Sequence, residues 1–278
     1  MSTLTLVATP IGNLGDMSAR AIEALTAAGL VCCEDTRRTG MLLKHFGIPA
    51  TLMRVDDHTE HDSIPRVIDA LNEGRDVCVV TDAGTPGISD PGSRLVRAVL
   101  DTRHTVTAVP GPAALVMAIT VSGFDTSRFV FEGFIPRSGR ERAQRIDEIA
   151  REKRTVILYE APHRLVKTLT DLSVSLGLER SIAACRELTK MHEEVRRCTL
   201  GEALEHFSDT DPQGEFVLVI QGAADEPEAT IDDVDRLLAI EFAGGATTRD
   251  AASAVANITG IARKVVYERA LTLRSTSD

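Results

Sequence analysis

Leu4-Thr5-Leu6-Val7-Ala8 is followed by Thr9-Pro10-Ile11-Gly12-Asn13-Leu14-Gly15-Asp16, then by a helical pattern over residues 18–28 that stops at Gly29, then by Leu30-Val31-Cys32-Cys33. This is a short apolar run, a loop bearing Gly and Pro, a helix, and a second apolar run. Apolar residues in succession fit a strand buried on both faces, and a strand–helix–strand order brings the chain back parallel to itself. The unit repeats. Further strands are predicted at residues 51–53, 77–80 and 105–109, with helices near 36–46, 64–73 and 91–100. The fold class that follows is α/β, a mostly parallel sheet with helices on both faces.

The pattern breaks at Ser122-Gly123-Phe124-Asp125-Thr126, and a second series starts with Phe129-Val130-Phe131. A charged helix near 139–153, a strand at 155–159, a helix after Pro162, and strands near 181–186, 195–199 and 216–221 follow. Less helix separates these later strands, so the second sheet is expected to be mixed. Asp225-Glu226-Pro227-Glu228 reads as an acidic linker, and residues 231–273 read as helical. The expected organisation is an N-terminal α/β domain over 1–122, a second α/β domain over 123–224, and a small helical, helix-turn-helix-like unit over 225–278.

Composition bounds the function. A chain of 278 residues exceeds what one core usually serves, in keeping with two α/β domains. The formal net charge of −10 and the 4% aromatic content with no Trp exclude a uniformly basic nucleic-acid surface and a row of stacking aromatics, so any RNA contact must be local. The first residues lack the pattern of a signal peptide, and no apolar run approaches the roughly 20 residues of a membrane span. The expectation is a cytoplasmic protein with no membrane contact. Cys32, Cys33, Cys78, Cys185 and Cys198 are odd in number and form no CxxC pair, which predicts buried thiols without a disulfide or zinc.

Three loops dense in Gly and Pro follow predicted strands: residues 8–16, 81–92 (Thr81-Asp82-Ala83-Gly84-Thr85-Pro86-Gly87-Ile88-Ser89-Asp90-Pro91-Gly92) and 109–114 (Val109-Pro110-Gly111-Pro112-Ala113-Ala114). Open α/β sheets bind ligands at that edge, and loops of this kind let main-chain groups approach a ligand closely. One such loop alone reads equally well as a tight turn; three on one edge point to a shared crevice. None is a P-loop or a dinucleotide GxGxxG. Asp82 and Asp90 suit a ligand with a cationic centre better than a polyphosphate, which makes Asp82 a candidate ligand contact.

The order of these loops together with Glu34-Asp35-Thr36-Arg37, Tyr159-Glu160-Ala161-Pro162-His163-Arg164, Arg186-Glu187-Leu188-Thr189-Lys190 and Gly214-Glu215-Phe216-Val217-Leu218-Val219 closely resembles the ribosomal RNA small subunit methyltransferase I family, of the tetrapyrrole methylase-like class. The resemblance spans essentially the whole chain. It implies S-adenosylmethionine as methyl donor in a cleft between the two α/β domains, and a homodimer. The acceptor it implies is the ribose 2′-hydroxyl of a cytidine in the decoding region of 16S rRNA, within the 30S subunit. Carried over by motif, the donor contacts are Pro10, Gly84, Thr85, Ile88, Ala113, Ala114, Tyr159 and Ala161. The segment Asp56-Asp57-His58-Thr59-Glu60 departs from the family's His-x-His-Asn-Glu, matching only at His58 and Glu60.

Methyl transfer to a hydroxyl gains mainly from positioning, with a general base adding about 10²–10⁴-fold. Glu34 and Asp35 beside Arg37 are the favoured catalytic cluster, facing the acceptor. His163 beside Glu160, and Lys190 near Glu193 and Glu194, are further candidates. Each has a structural alternative: Glu34 or Asp35 as a helix cap, His163 at a helix start, Lys190 in a solvated ion pair. His58 and His61 with Asp56, Asp57 and Asp62 superficially resemble a metal site, but a loop and helix start would not stack the imidazoles, so no metal is expected.

RNA contacts are expected from the basic stretch that includes Arg137, Arg140 and Arg142, and from Arg263 and Lys264 on the second helix of the tail. Two rival functions remain: a tetrapyrrole C-methyltransferase of the same fold, and a non-catalytic nucleoside-sensing regulator that binds DNA through the tail.

Overall fold

The computed structural model describes residues 1–56, 59–224 and 230–275. Asp57 and His58 of the histidine-bearing segment, and the acidic 225–228 linker, lie outside the described residues. The chain divides into two compact units, Met1–Ala223 and Ala224–Asp278.

In the first unit, β1 (Thr3–Val7), β2 (Leu30–Cys33), β3 (Leu52–Arg54), β4 (Val77–Val79) and β5 (Thr105–Val109) form a sheet of order β3-β2-β4-β1-β5, parallel throughout. Strand side chains alternate between its faces. Leu30, Cys32, Val77 and Val79 pack with Val67, Leu71, Leu95 and Val99 of α3 (Glu60–Asn72) and α4 (Ser93–Leu100). Val31, Cys33 and Cys78 turn the other way, against Ala21 and Leu25 of α1 (Ala19–Ala27) and Leu43 of α2 (Thr36–His45). Both faces are therefore covered, as a fully buried parallel sheet requires.

The second sheet, β6 (Phe129–Phe134), β7 (Thr155–Glu160), β8 (Ser181–Arg186), β9 (Glu194–Thr199) and β10 (Phe216–Ile220), has order β6-β7-β10-β8-β9. It is mixed: β6 and β7 are parallel and the other pairs antiparallel. Phe216, Leu218 and Ile220 face α6 (Gly139–Arg151), α7 (Pro162–Leu176) and α8 (Leu200–Ser208). Val217 and Val219 face Ala118 and Ile119 of α5 (Ala114–Ser122).

Two helices of this unit escape the sequence reading. α5 is apolar around its whole circumference, so it carries no amphipathic period, and it starts directly from the 109–114 loop. α8 did carry a signal, the Thr199/Glu202 capping box at its start. α3 begins four residues ahead of expectation, because Pro65, which suits a first turn, stands inside the helix.

All five cysteines are free thiols. Burial pushes Cys32 and Cys78 up to about 12 and Cys185 up to about 11. A thiol reagent near neutral pH is therefore expected to reach at most the half-buried Cys198 before denaturant is added; two or more fast-reacting thiols would contradict this burial.

In the second unit, α9 (Ile231–Ala243), α10 (Thr248–Thr259) and α11 (Arg263–Ser275) enclose a core of Val234, Leu238, Ala251, Ala252, Val255, Val266 and Ala270. The tail read as helical over 231–273, with Arg263 and Lys264 on the second helix of a helix-turn-helix, thus resolves into three helices. Gly260 takes a left-handed conformation, φ 69°, which closes α10 and permits the sharp turn into α11. Arg263 and Lys264 are exposed on the first turn of α11. Among the described residues no helix is long and apolar enough to cross a membrane.

Candidate functional site

The loops after β4, β1 and β5 leave three adjacent strands, and they are bonded to one another. Thr9 and Gly84 exchange main-chain hydrogen bonds at 2.9 and 3.1 Å, and Thr85 Oγ1 donates to Pro112 O at 3.0 Å. Gly84, at φ 84°, has a backbone conformation L side chains rarely adopt. Gly111 is required by proximity, since a Cβ there would lie 2.9 Å from Ala8 Cβ.

The second sheet supplies the opposite wall through the ends of β6 and β7 and the start of β10. Asp82, Gly84, Thr85, Ile88, Ala113, Ala114, Tyr159 and Ala161 line one chamber of about 410 Å3, together with Glu34, Asp90, Phe134 and Glu160. The Tyr159 ring meets Phe131 and Phe134 edge-on, with centroids 4.9 and 5.7 Å away. Its hydroxyl accepts from Leu115 N at 3.2 Å, fixing the first turn of α5. Burial raises the Tyr159 phenol above its ordinary range, a shift this hydrogen bond offsets in part, so the hydroxyl stays protonated at neutral pH.

A smaller chamber of about 250 Å3 adjoins the first and shares Ile11, Arg38, Asp82, Ala83 and Glu215 with it. Pro10, a donor contact by resemblance, lines this second chamber rather than the first.

The cluster at residues 34–37 is split by the geometry of α2. Asp35 is the N-cap, accepting from Arg37 N at 2.8 Å. Hydrogen bonds from the Arg37 side chain and main chain hold its carboxyl below the usual carboxylate range, which makes it a weak base. Arg37 itself is 89% exposed and lines neither chamber. Glu34, ahead of the cap, stays in the larger chamber. One residue along a helix is a rotation of about 100°, and it is Arg38, absent from the sequence-level candidates, that reaches the site and pairs with Asp82 at 3.2 Å.

Lys190 sits between two carboxylates, 2.8 Å from Glu187 and 2.9 Å from Glu215. Burial alone would lower its pKa, but these ion pairs outweigh it and raise the pKa, so the amine is held charged and cannot serve as a base. Its loop is tightly built: Glu187 and Thr189 have φ of 49° and 68°, and Thr189 Oγ1 accepts from Asn13 N at 3.1 Å. Gly12 permits the close approach, since a Cβ there would lie 2.4 Å from Lys190 Cγ. Glu160 is fully buried, salt-bridged to Arg164 at 3.2 Å and hydrogen-bonded by Thr168 at 2.6 Å. His163 lies in the first turn of α7 and lines neither chamber.

The basic stretch is also divided. Arg142 turns inward, 4% exposed, donating to Asp171 at 2.8 Å, Pro136 O at 3.0 Å and Thr168 at 3.1 Å; this corrects its assignment to an RNA-facing surface, since its position in α6 puts it on the face packed against α7. Arg145, Arg151 and Arg154 are paired with carboxylates. Arg137 and Arg140 are exposed, with no carboxylate partner among the described residues.

This fold and chamber define a class. Residues 3–204 match the family profile described as Tetrapyrrole (Corrin/Porphyrin) Methylases, and residues 228–274 match the RsmI C-terminal HTH domain. The uroporphyrin-III C-methyl transferase of Thermus thermophilus, solved in complex with S-adenyl homocysteine, superposes with a TM-score of 0.59 at 16% identity over 80% of this chain and 97% of that one. At that identity the likeness is one of fold. Ribosomal RNA small subunit methyltransferase I of Synechocystis sp. is 46% identical over 99% of both chains, and that of Xylella fastidiosa strain Temecula1 is 45% identical over 95% of this chain and 97% of its own. The chain belongs to the ribosomal RNA small subunit methyltransferase I family.

Proposed function

We propose that the protein transfers a methyl group from S-adenosylmethionine to the 2′-hydroxyl of a cytidine in the decoding region of small-subunit ribosomal RNA. The observation that carries this reading is the larger chamber, where eight of the nine expected donor contacts meet in a chain of this family. The chamber fits the donor chemically. Its aromatic edge and apolar floor suit a flat heterocycle, while the carboxylates of Asp82, Asp90 and Glu34 in its lining suit a ligand with a cationic centre such as a sulfonium. When bound, the donor supplies an electrophilic methyl carbon. The chain supplies orientation and exclusion of water from the reacting atoms.

Arg137 and Arg140 follow β6, whose last residue, Phe134, lines the chamber. Both are exposed, and we assign them to phosphate contact, with Arg263 and Lys264 of the second unit as a further contact. Double replacement of Arg137 and Arg140 by Ala is expected to weaken RNA binding several-fold and to flatten its salt dependence, since each phosphate contact adds about one to the slope; an unchanged slope would remove them from the interface. A homodimer belongs to the same reading. It is supported by the open edge strand β5 and by Val116 and Phe129, exposed on the next elements of the chain.

The rival acceptor is a tetrapyrrole. The second unit and the two free arginines favour RNA, because a small planar acid needs neither. Labelled donor offered in parallel with unmethylated 30S subunits and with a tetrapyrrole decides between them. Label is expected in the RNA alone; label in the tetrapyrrole alone would overturn the reading.

A further inference from the structure

The second unit keeps its charges apart. α9 carries Asp232, Asp233, Asp235 and Glu241 against Arg236, whereas α11 carries Arg263, Lys264, Arg269 and Arg274 against Glu268. Two of the four cations of α11 are held inside the unit. Arg269 donates to Asp235 at 2.6 Å, and Arg274 donates to Thr248 Oγ1 at 2.6 Å and lies over the Phe242 ring, 5.4 Å from its centroid. The other two, Arg263 and Lys264, are exposed, with no carboxylate partner among the described residues.

Tyr267 stands one turn beyond them. At the helical rotation per residue, Arg263, Lys264, Tyr267 and Leu271 share an arc of about 100° on α11, and Tyr267 and Leu271 are 39% and 48% exposed. Tyr267 belongs neither to the core of the unit nor to the side chains packed against it, and its hydroxyl has no hydrogen-bond partner among the described residues. Packing therefore gives no reason for a ring there, and helix propensity favours other residues. The chain has two tyrosines and no Trp; Tyr159 lines the larger chamber, and Tyr267 sits between free cations. A helix-turn-helix reads duplex DNA by laying its second helix in the major groove. RNA duplexes close that route, because the A-form major groove is too deep and narrow for side chains to read. Unpaired nucleotides offer another, with base faces open to stacking and phosphates on either side.

We propose that α11 holds an unpaired nucleotide of the small-subunit RNA, its base stacked on Tyr267 and its flanking phosphates met by Arg263 and Lys264. This rests on the RNA-methylation reading above and gives the second unit its mode of binding, a single strand rather than a duplex groove. Leu271, one turn further along the same face, extends the apolar surface beside the ring. In a chain of net charge −10 these two free cations supply the local attraction that a phosphate strand requires. Every base has a π-face, so the contact tolerates sequence; the second unit anchors the RNA and leaves the choice of nucleotide to the first.

The test compares the full-length protein with Tyr267→Ala, Tyr267→Phe and Lys264→Ala, measuring binding to unmethylated 30S subunits over a range of salt, together with Tm and S-adenosylhomocysteine affinity. Tyr267→Ala is expected to weaken binding about 5- to 150-fold, the usual worth of one stacked base, with the salt slope unchanged. Lys264→Ala is expected to lower that slope by about one. Tyr267→Phe keeps the ring and is expected to bind as the wild type does. Tm and S-adenosylhomocysteine affinity stay at wild-type values in all three, since neither residue belongs to the core of the unit or lines the larger chamber; a merely structural tyrosine would lower Tm instead. Wild-type binding by Tyr267→Ala, or an equal loss in Tyr267→Phe, overturns stacking. An unpaired oligoribonucleotide of the decoding-region sequence is expected to compete better than its duplex, and to lose that advantage against Tyr267→Ala. Equal competition by the duplex, or none by either, overturns unpaired RNA as the occupant. A wild-type protein that neither binds nor labels 30S subunits overturns the methylation reading itself, and is told apart by failing before any variant is compared.

Discussion

Replacing Glu160 by Ala is expected to destabilise the protein by about 3–5 kcal/mol, the usual cost of removing one partner from a buried ion pair. The Glu160 side chain is wholly excluded from solvent. One of its oxygens accepts from Ala161 N at 2.9 Å and faces Arg164 Nε at 3.2 Å; the other accepts from Thr168 at 2.6 Å. Thr168 in turn receives Arg142 Nη2 at 3.1 Å, so one network ties α6 and α7 to the end of β7. Truncation leaves the Arg164 guanidinium, 16% exposed, with its charge unmatched, and frees the main chain at Ala161, a wall of the larger chamber. Denaturant unfolding would measure the loss. A change below about 1 kcal/mol, within the range of exposed pairs, would show that the network is not holding that wall.

Glu60→Ala is expected to cost about 3 kcal/mol and to weaken donor binding with it. Glu60 lies in the first turn of α3, buried, and its Oε1 accepts from Gly92 N and Leu95 N at 3.0 Å each. α4 starts at Ser93, and its own N-cap, Gly92, has no side chain to offer. A carboxylate from a neighbouring helix thus closes the N-terminus of α4, where two main-chain donors and the helix dipole both favour an anion. Each hydrogen bond to a charged acceptor contributes about 1.5–3 kcal/mol, and Gly92 ends the loop that carries Gly84, Thr85 and Ile88. Thermal unfolding and S-adenosylhomocysteine titration check the two halves. Lost stability with full donor affinity would show that the cap serves α4 alone.

That cap also shows what the sequence could not disclose. Glu60 stood out as one of two matches in a segment that otherwise departs from the family's pattern, but its partners are 32 and 35 residues away, and no local pattern records such a pairing. The parallel sheet was legible because buried strands and Gly-closed helices write local signals, and the three ligand-edge loops were legible because Gly and Pro punctuate them. The floor of the site was less so. Arg38 differs from its neighbours only in its direction around α2, which a shift of one residue reverses, so the sequence directed attention to Arg37. Arg142 reads as one more cation in a basic run, and only the packing of α6 on α7 gives it Asp171 and Thr168 in place of solvent.

The account stands or falls on where the methyl group goes. Labelled S-adenosylmethionine is incubated with the protein and with 30S subunits from a strain lacking the activity, the RNA is digested, and the labelled nucleotide is located and exposed to alkali. Label at a single decoding-region cytidine, with the adjacent phosphodiester resistant to alkaline cleavage, is the result predicted for a 2′-O-methyltransferase. Label on a base, which leaves that bond alkali-sensitive, or no label in the RNA while the donor is bound, would contradict it.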